Sequence, residues 1–239
     1  MRTRSSARRS YSSSNLPKAS LEELHSSGFT ALRQCVTIPD EVLTQIMLIT
    51  SSRSMDRIFN HNRQRASSDG RRRQICLPET SIALRDFGKN ISAKISDMLP
   101  HLKLNDWVVL RSLPGCCEQA PHVDYDPSDD MLSTETVPVN VLVALQDSTT
   151  LEVWPESHRL ISSMVKSEKL GKDDCFSQTR LSLSRGDVLL FRGDLVHAGS
   201  AYDDNNVRLH CYMDMSVRIP NRTWLVDKKA PQHVRDAIK

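Results

Sequence analysis

The chain has 239 residues, 38% of them apolar and 26% charged, with a formal net charge of +3. That is enough chain to bury a full core. No apolar run approaches the 18 or so residues of a membrane span, and so small a net charge says nothing by itself about partners.

Residues 1–20, MRTRSSARRSYSSSNLPKAS, carry five basic residues, no acidic ones and many serines. Such a composition cannot pack a core and reads as a solvated, disordered tail. A mitochondrial transit peptide shares it, although the apolar residues are few for an amphipathic helix. The folded part is expected to begin near Ser20, where Ser20 and Glu23 have the spacing of a capping box. FTALRQCVTI then reads as a strand, and PDEVLTQIMLI as a helix with Pro39 at its first turn.

A second basic stretch, 51–74, ends in Arg71, Arg72 and Arg73. Its two readings are a solvated loop or helix face and a surface that guides an anionic substrate or nucleic acid. With Phe59 as its lone aromatic, the solvated reading is preferred, so the three arginines are expected near a pocket entrance or in solvent. ETSIALRDFGKNISAKISDML has apolar residues three to four apart and is expected to be helical.

From residue 104 the pattern changes to short β-type runs separated by turn residues: DWVVLRSL, VPVNVLVAL, LEVWP, RLSLS, GDVLLF and VRLHCYMDM. Helices first and strands later predict a mainly β fold with some α structure: a double-stranded β-helix (jelly-roll or cupin-like) core with an N-terminal helical layer. The expected boundaries are 1–20 tail, 21–225 domain and 226–239 C-terminal tail.

The six cysteines, Cys35, Cys76, Cys116, Cys117, Cys175 and Cys211, make no Cys-x-x-Cys pair. Neither a thiolate zinc site nor a disulfide framework is expected. An intracellular protein with reduced thiols follows, cytoplasmic by default, with the mitochondrion as the alternative.

QAPHVDYDP contains His122 and Asp124. Two residues apart in a strand, they would aim an imidazole and a carboxylate to one side. Such a triplet also arises by chance, so its context decides. A third ligand would come from a distant strand, and His197 in GDVLLFRGDLVHAGS is the candidate. Two His and one carboxylate form the facial triad of non-haem Fe(II) oxygenases. In VRLHCYM, Val207, Leu209, Cys211 and Met213 share one face and Arg208, His210 and Tyr212 the other. An arginine on the inner wall needs an anion, for which the carboxylate of a co-substrate is the natural partner.

Four passages, in order, resemble the Fe(II)/2-oxoglutarate-dependent dioxygenases, specifically their phytanoyl-CoA dioxygenase-like group. They are LHSSGFTALRQCVTIPDEVLTQI, HVDYD, VNVLVALQDSTTLEVWPESHR and GDVLLFRGDLVHAGSAYDDNNVRLHCYM. The likeness spans about residues 21–215. It implies that His122, Asp124 and His197 bind Fe(II) and that Arg208 binds the far carboxylate of 2-oxoglutarate. O2 would be consumed, succinate and CO2 released, and a substrate C–H bond hydroxylated; the family's own substrates do not carry over, and a small-molecule or lipid-like substrate is expected. His158 matches a turn residue of the group, not a ligand. Tyr125 and Asn140 are expected to help hold the co-substrate, with His210 and Arg111 as further candidates. Thr149 and Thr150 stand where the group usually has glycine, and Glu156 replaces the Gly of its Pro-Gly-Ser-His turn. Two other functions fit the same core: modification of nucleic acid or protein, and metal binding without turnover.

Overall fold

The computed structural model describes residues 16–58, 70–77, 81–96, 98–100, 103–104, 107–125, 127, 137–165, 175–214 and 223–239. Two antiparallel sheets face each other. The larger runs β1 (Phe29–Leu32), β10 (Val188–Arg192), β7 (Val139–Ala144), β12 (Asn206–Asp214), β5 (Val108–Ser112), β3 (Arg72–Cys76) and β2 (Asp56–Arg57), with β4 (Lys103–Leu104) also paired to β12. The smaller runs β13 (Trp224–Leu225), β6 (His122–Val123), β11 (His197–Gly199), β8 (Thr149–Val153) and β9 (Thr179–Leu183). From β5 onward consecutive strands mostly alternate between the two sheets, β8 and β9 being paired with each other, as in a jelly roll. All six β-type runs read from the sequence overlap one of these strands.

Period-two alternation sorts the residues of the larger sheet. Val141 and Val143 of β7, Val188 and Leu190 of β10, and Val207, Leu209, Cys211 and Met213 of β12 face outward into one buried cluster. There they meet Val42 and Ile46 of α2 (Asp40–Ser52) and Leu84, Phe87, Ile91 and Ile95 of α3 (Ile82–Ser96). The three-to-four spacing of these helical residues makes the apolar stripe that covers the sheet. The intervening residues Leu142, Ala144, Leu189 and Phe191 point between the sheets and pack on Leu151, Val153 and Leu183 of the smaller one.

Several expected boundaries change. The first helix, α1, is Leu16–Ser27, so residues 16–20 belong to it and Ser20 is interior rather than a cap. Glu23 instead accepts a hydrogen bond from Thr30 Oγ1 at 2.5 Å. Of FTALRQCVTI, Phe29–Leu32 alone are strand. Pro39 is the residue preceding the first turn of α2. Residues 226–239, expected as a tail, form α5 (Val226–Lys229) and α6 (Gln232–Ala237). Val226, Ala230, Val234 and Ala237 are buried with Trp154, Val196 and Trp224 behind the smaller sheet. The indole of Trp154 donates to the backbone carbonyl of Lys239 at 2.8 Å. Sparse apolar residues hid this segment: two turns of helix bury four small or branched side chains without a long periodic run.

The basic stretch also differs. Its described part contains β2 and β3, which extend the larger sheet beyond β5. Arg71 is exposed and Arg73 half-buried, but Arg72 is 1% exposed, which corrects the solvent or pocket-entrance placement expected for it. Phe59 and residues 60–69 lie outside the described residues. Among the described residues, no helix is long and apolar enough to cross a membrane.

Candidate functional site

His122 and His197 are direct cross-strand partners, one on β6 and the other on β11. Their ring centroids are 4.3 Å apart. Asp124 follows β6 by one residue, fixed by its N–H donating to the Gly193 carbonyl at 3.2 Å. Its Oδ2 is 3.6 Å from His197 Nε2, and its Oδ1 is 4.0 Å from His122 Nε2. One ligand atom from each residue lies within 4.8 Å of the other two, and all three residues are buried. The structure thus brings together the three residues that the sequence singled out.

The surrounding contacts orient them. Nδ1 of His122 lies 2.8 Å from the Ala120 carbonyl, and Nδ1 of His197 lies 3.0 Å from the Leu195 carbonyl. A carbonyl can only accept, so Nδ1 carries the proton in both rings and Nε2 keeps its lone pair for a metal. Asn140 Nδ2 donates to Asp124 Oδ2 at 2.7 Å. Burial holds the pKa of His122 well below the ordinary imidazole value, and the nearby His197 pushes the same way. Burial raises the carboxyl of Asp124, with His197 opposing. Neutral imidazoles beside a carboxylate are the donor set that a divalent iron accepts.

The triad forms part of the wall of a cavity of about 290 Å³. Arg208, His210 and Tyr212 line it from β12, Val108 and Leu110 from β5, and Gln74 and Cys76 from β3. Phe191 packs its ring at 4.8 Å from that of His197. Arg208 is 2% exposed and donates from Nη1 to Ser112 Oγ at 3.0 Å. Its Nε is buried with no partner among the described residues. A cation in this position with a spare donor fits a carboxylate.

The other candidates divide. Asn140 meets the Asp124 carboxylate, and it is Asp124 that reaches the cavity wall. Tyr125 is buried, packs edge-on against Tyr212 with centroids 6.0 Å apart, and does not contribute to the cavity lining. Arg111 points away, donating to the Thr50 carbonyl of α2 at 3.0 Å and to Asn205 Oδ1 at 2.8 Å. It therefore ties the helical layer to the sheet and is removed from the site. His158 is in the first turn of α4 (Ser157–Val165) and lies against Gly28. Gly28 has φ +87°, and a Cβ there would come within 2.7 Å of His158 Nδ1, which explains the Gly-Phe turn in physical terms.

Three neighbours escaped the sequence reading, Ser112, Gln119 and Phe191, and a fourth, Arg72, was expected in solvent or at a pocket entrance. Arg72 crosses from β3 to the smaller sheet, donating to the carbonyls of Cys117, Gly199 and Ser200 at 2.6, 3.0 and 2.5 Å. Gln119 Oε1 accepts from Gly199 N at 2.8 Å. A Cβ at Gly199 would collide with both the Gln119 amide and the Arg72 guanidinium. The alternation Arg72, Gln74, Cys76 was present in the sequence but masked by the run of arginines around it.

No protein-family model matches the sequence, and no curated protein matches it. Solved structures do match the fold. The non-haem alpha-ketoglutarate-dependent epimerase SnoN from nogalamycin biosynthesis superposes with a TM-score of 0.66 at 14% identity, covering 84% of this chain and 81% of that one. HygX from Streptomyces hygroscopicus, solved with nickel, 2-oxoglutarate and hygromycin B, gives 0.59 at 16% identity, with 86% and 90% covered. A Pseudomonas putida prolyl-4-hydroxylase gives 0.56 at 11% identity, with 84% and 100% covered. At these identities the likeness establishes the fold: a jelly-roll core with helices packed outside.

Proposed function

We propose that this chain is an Fe(II)- and 2-oxoglutarate-dependent oxygenase that hydroxylates a small molecule. The observation that carries the reading is the convergence, on one buried cavity, of the His122–Asp124–His197 cluster and the Arg208 guanidinium with its unpartnered Nε. The triad would hold the metal at three positions and leave the others open. Arg208 would take the far carboxylate of the co-substrate, with the Ser112 hydroxyl beside it.

When bound, iron and 2-oxoglutarate supply the oxidative chemistry that releases succinate and CO2. The chain's own residues do the rest. The Nδ1–H bonds of His122 and His197 keep both Nε2 lone pairs directed inward. Asn140 fixes the Asp124 carboxylate. Leu142, Leu151 and Phe191 exclude water from one wall. The cavity volume supports a small substrate, as do neighbours solved with nogalamycin RO and hygromycin B. The finer likeness to the phytanoyl-CoA dioxygenase-like group rests on the order of the four sequence passages.

The test is anaerobic loading with Fe(II) and 2-oxoglutarate, followed by O2 and measurement of succinate. The wild type is expected to form succinate slowly without substrate and faster with a suitable small molecule. His122→Ala, Asp124→Ala and His197→Ala are each expected to abolish it. Full activity in His197→Ala would sink the assignment.

A further inference from the structure

His210 stands on the cavity wall between the triad carboxylate and Arg208. It is 6% exposed, held on β12 opposite Val108 on one side and Leu142 on the other. Its ring is wedged against Tyr212, with centroids 4.5 Å apart, and faces Phe191 at 6.2 Å. Nε2 is 4.0 Å from Asp124 Oδ2, which is too long for a hydrogen bond. Among the described residues neither ring nitrogen has a hydrogen-bond partner, although the side chain is buried and lines the cavity. His210 is also outside the set of atoms that converge on the metal position.

Beside the likewise unpartnered Arg208 Nε, an imidazole on the cavity wall with no partner among the described residues takes its hydrogen bond from what the cavity holds. We infer that His210 hydrogen-bonds the metal-chelating end of the co-substrate, an inference that rests on the oxygenase reading above. Arg208 and His210 are two residues apart on one strand face, about 7 Å along the chain. That separation is comparable to the span of a five-carbon diacid. With Arg208 gripping one carboxylate, the residue two along meets the 2-oxo acid end beside Asp124. A neutral imidazole has one N–H for a carboxylate oxygen, and the flanking aromatic rings fix its plane.

The experiment is a titration of 2-oxoglutarate into the anaerobic Fe(II) protein, followed by charge-transfer absorption, beside a separate measurement of Fe(II) affinity. His210→Phe keeps the ring contacts and removes the donor. It is expected to weaken 2-oxoglutarate binding about tenfold to a hundredfold, the range of a hydrogen bond to a charged group. The absorption maximum should shift, and Fe(II) affinity should stay within about threefold of the parent, a change worth less than one hydrogen bond. His210→Gln, which restores an N–H donor, should recover part of the affinity. Should the Phe variant fail to fold, His210→Ala answers the same titration. Unchanged affinity with an unchanged band in either variant overturns the inference. So does loss of Fe(II) binding as severe as in His197→Ala, which would make His210 a metal ligand. If the wild type gives no charge-transfer band with Fe(II) and 2-oxoglutarate, it is the oxygenase reading itself that fails.

Discussion

Arg72 and Arg208 share one acceptor: each guanidinium donates from Nη1 to the Ser112 hydroxyl, at 3.2 and 3.0 Å. Ser112 sits on β5 between the two strands that carry them, paired with Arg72 on one side and Asn206 on the other. An oxygen that accepts two N–H bonds keeps its own O–H for a third group. Two buried arginines and a hydroxyl therefore meet beside the cavity. One of them, Arg208, reaches the cavity lining, and the other braces the sheets behind it.

The first prediction follows from Arg208. Its replacement by Ala removes a desolvated charge pair while leaving His122, Asp124 and His197 in place. Truncating one partner of such a pair costs about 2–5 kcal/mol, so 2-oxoglutarate affinity should fall roughly thirtyfold or more. Arg208→Lys should recover part of it, because a point charge does not reproduce the planar fork. Fe(II) affinity should change little in both. A 2-oxoglutarate titration of the Arg208→Ala protein that matches the parent would place the anchor elsewhere.

Arg72 should matter to stability before chemistry. Its guanidinium satisfies carbonyls of Cys117, Gly199 and Ser200, joining β3 to the end of β11. A single ammonium replaces a fork that also donates from Nε to the Cys117 carbonyl and from Nη1 to the Ser112 hydroxyl, and a buried acceptor that loses its donor keeps the full desolvation penalty. Arg72→Lys is expected to cost about 3 kcal/mol and to lower Tm by roughly 6–12 °C. Thermal unfolding checks this. Arg71→Lys serves as the control: Arg71 is exposed and donates to Pro114 and Gly115 carbonyls at the surface, so its Tm should move by a degree or two at most.

These two arginines show what the sequence could and could not reveal. Arg208 was legible because its strand alternates cleanly, with apolar Val207, Leu209 and Cys211 marking the helix-covered face. The convergence of Asp124 with the two histidines was legible because a strand sets the spacing of His122 and Asp124 and a jelly roll brings a distant strand beside them. Arg72 was not, since a run of arginines looks solvated until a neighbouring strand buries one of them. Residues 226–239 failed for a related reason. Their burial depends on Trp154 and Trp224 lying behind the smaller sheet, a long-range contact that leaves no local periodicity.

Glu156 offers a test of backbone strain. It replaces the glycine expected in its turn, and its φ is +66°. A left-handed conformation costs a residue with a Cβ about 1–2 kcal/mol, whereas glycine gives back about 0.5–1 kcal/mol as extra unfolded-state entropy. The ion pair to Arg159, at 2.7 Å, has both side chains at least half exposed and is worth little. Glu156→Gly should therefore stabilise the protein by about 0.5 kcal/mol, and Glu156→Ala should be slightly destabilised. A Gly variant less stable than the Ala variant in urea unfolding would contradict the argument.

His158 sets a pH dependence that is separate from the metal site. It is 6% exposed, with Nδ1 buried against Gly28 and without a hydrogen-bond partner among the described residues. Burial lowers its pKa to about 4, and the Arg192 guanidinium lowers it further, against a smaller opposing pull from Asp194. In the unfolded chain the same imidazole titrates near 6.5. The folded pKa is the lower one, so between the two values the unfolded state binds more protons than the folded state. Its contribution is then fully present above pH 6.5 and is lost as the pH falls through 4. The loss amounts to about 3 kcal/mol at 1.36 kcal/mol per unit. His158→Gln cannot take up that proton. Urea unfolding of both proteins from pH 8 to pH 4 should show the wild type losing about 3 kcal/mol more than the variant across this window. Parallel curves would mean that the folded state accommodates the charged ring, with Asp194 as its counter-ion.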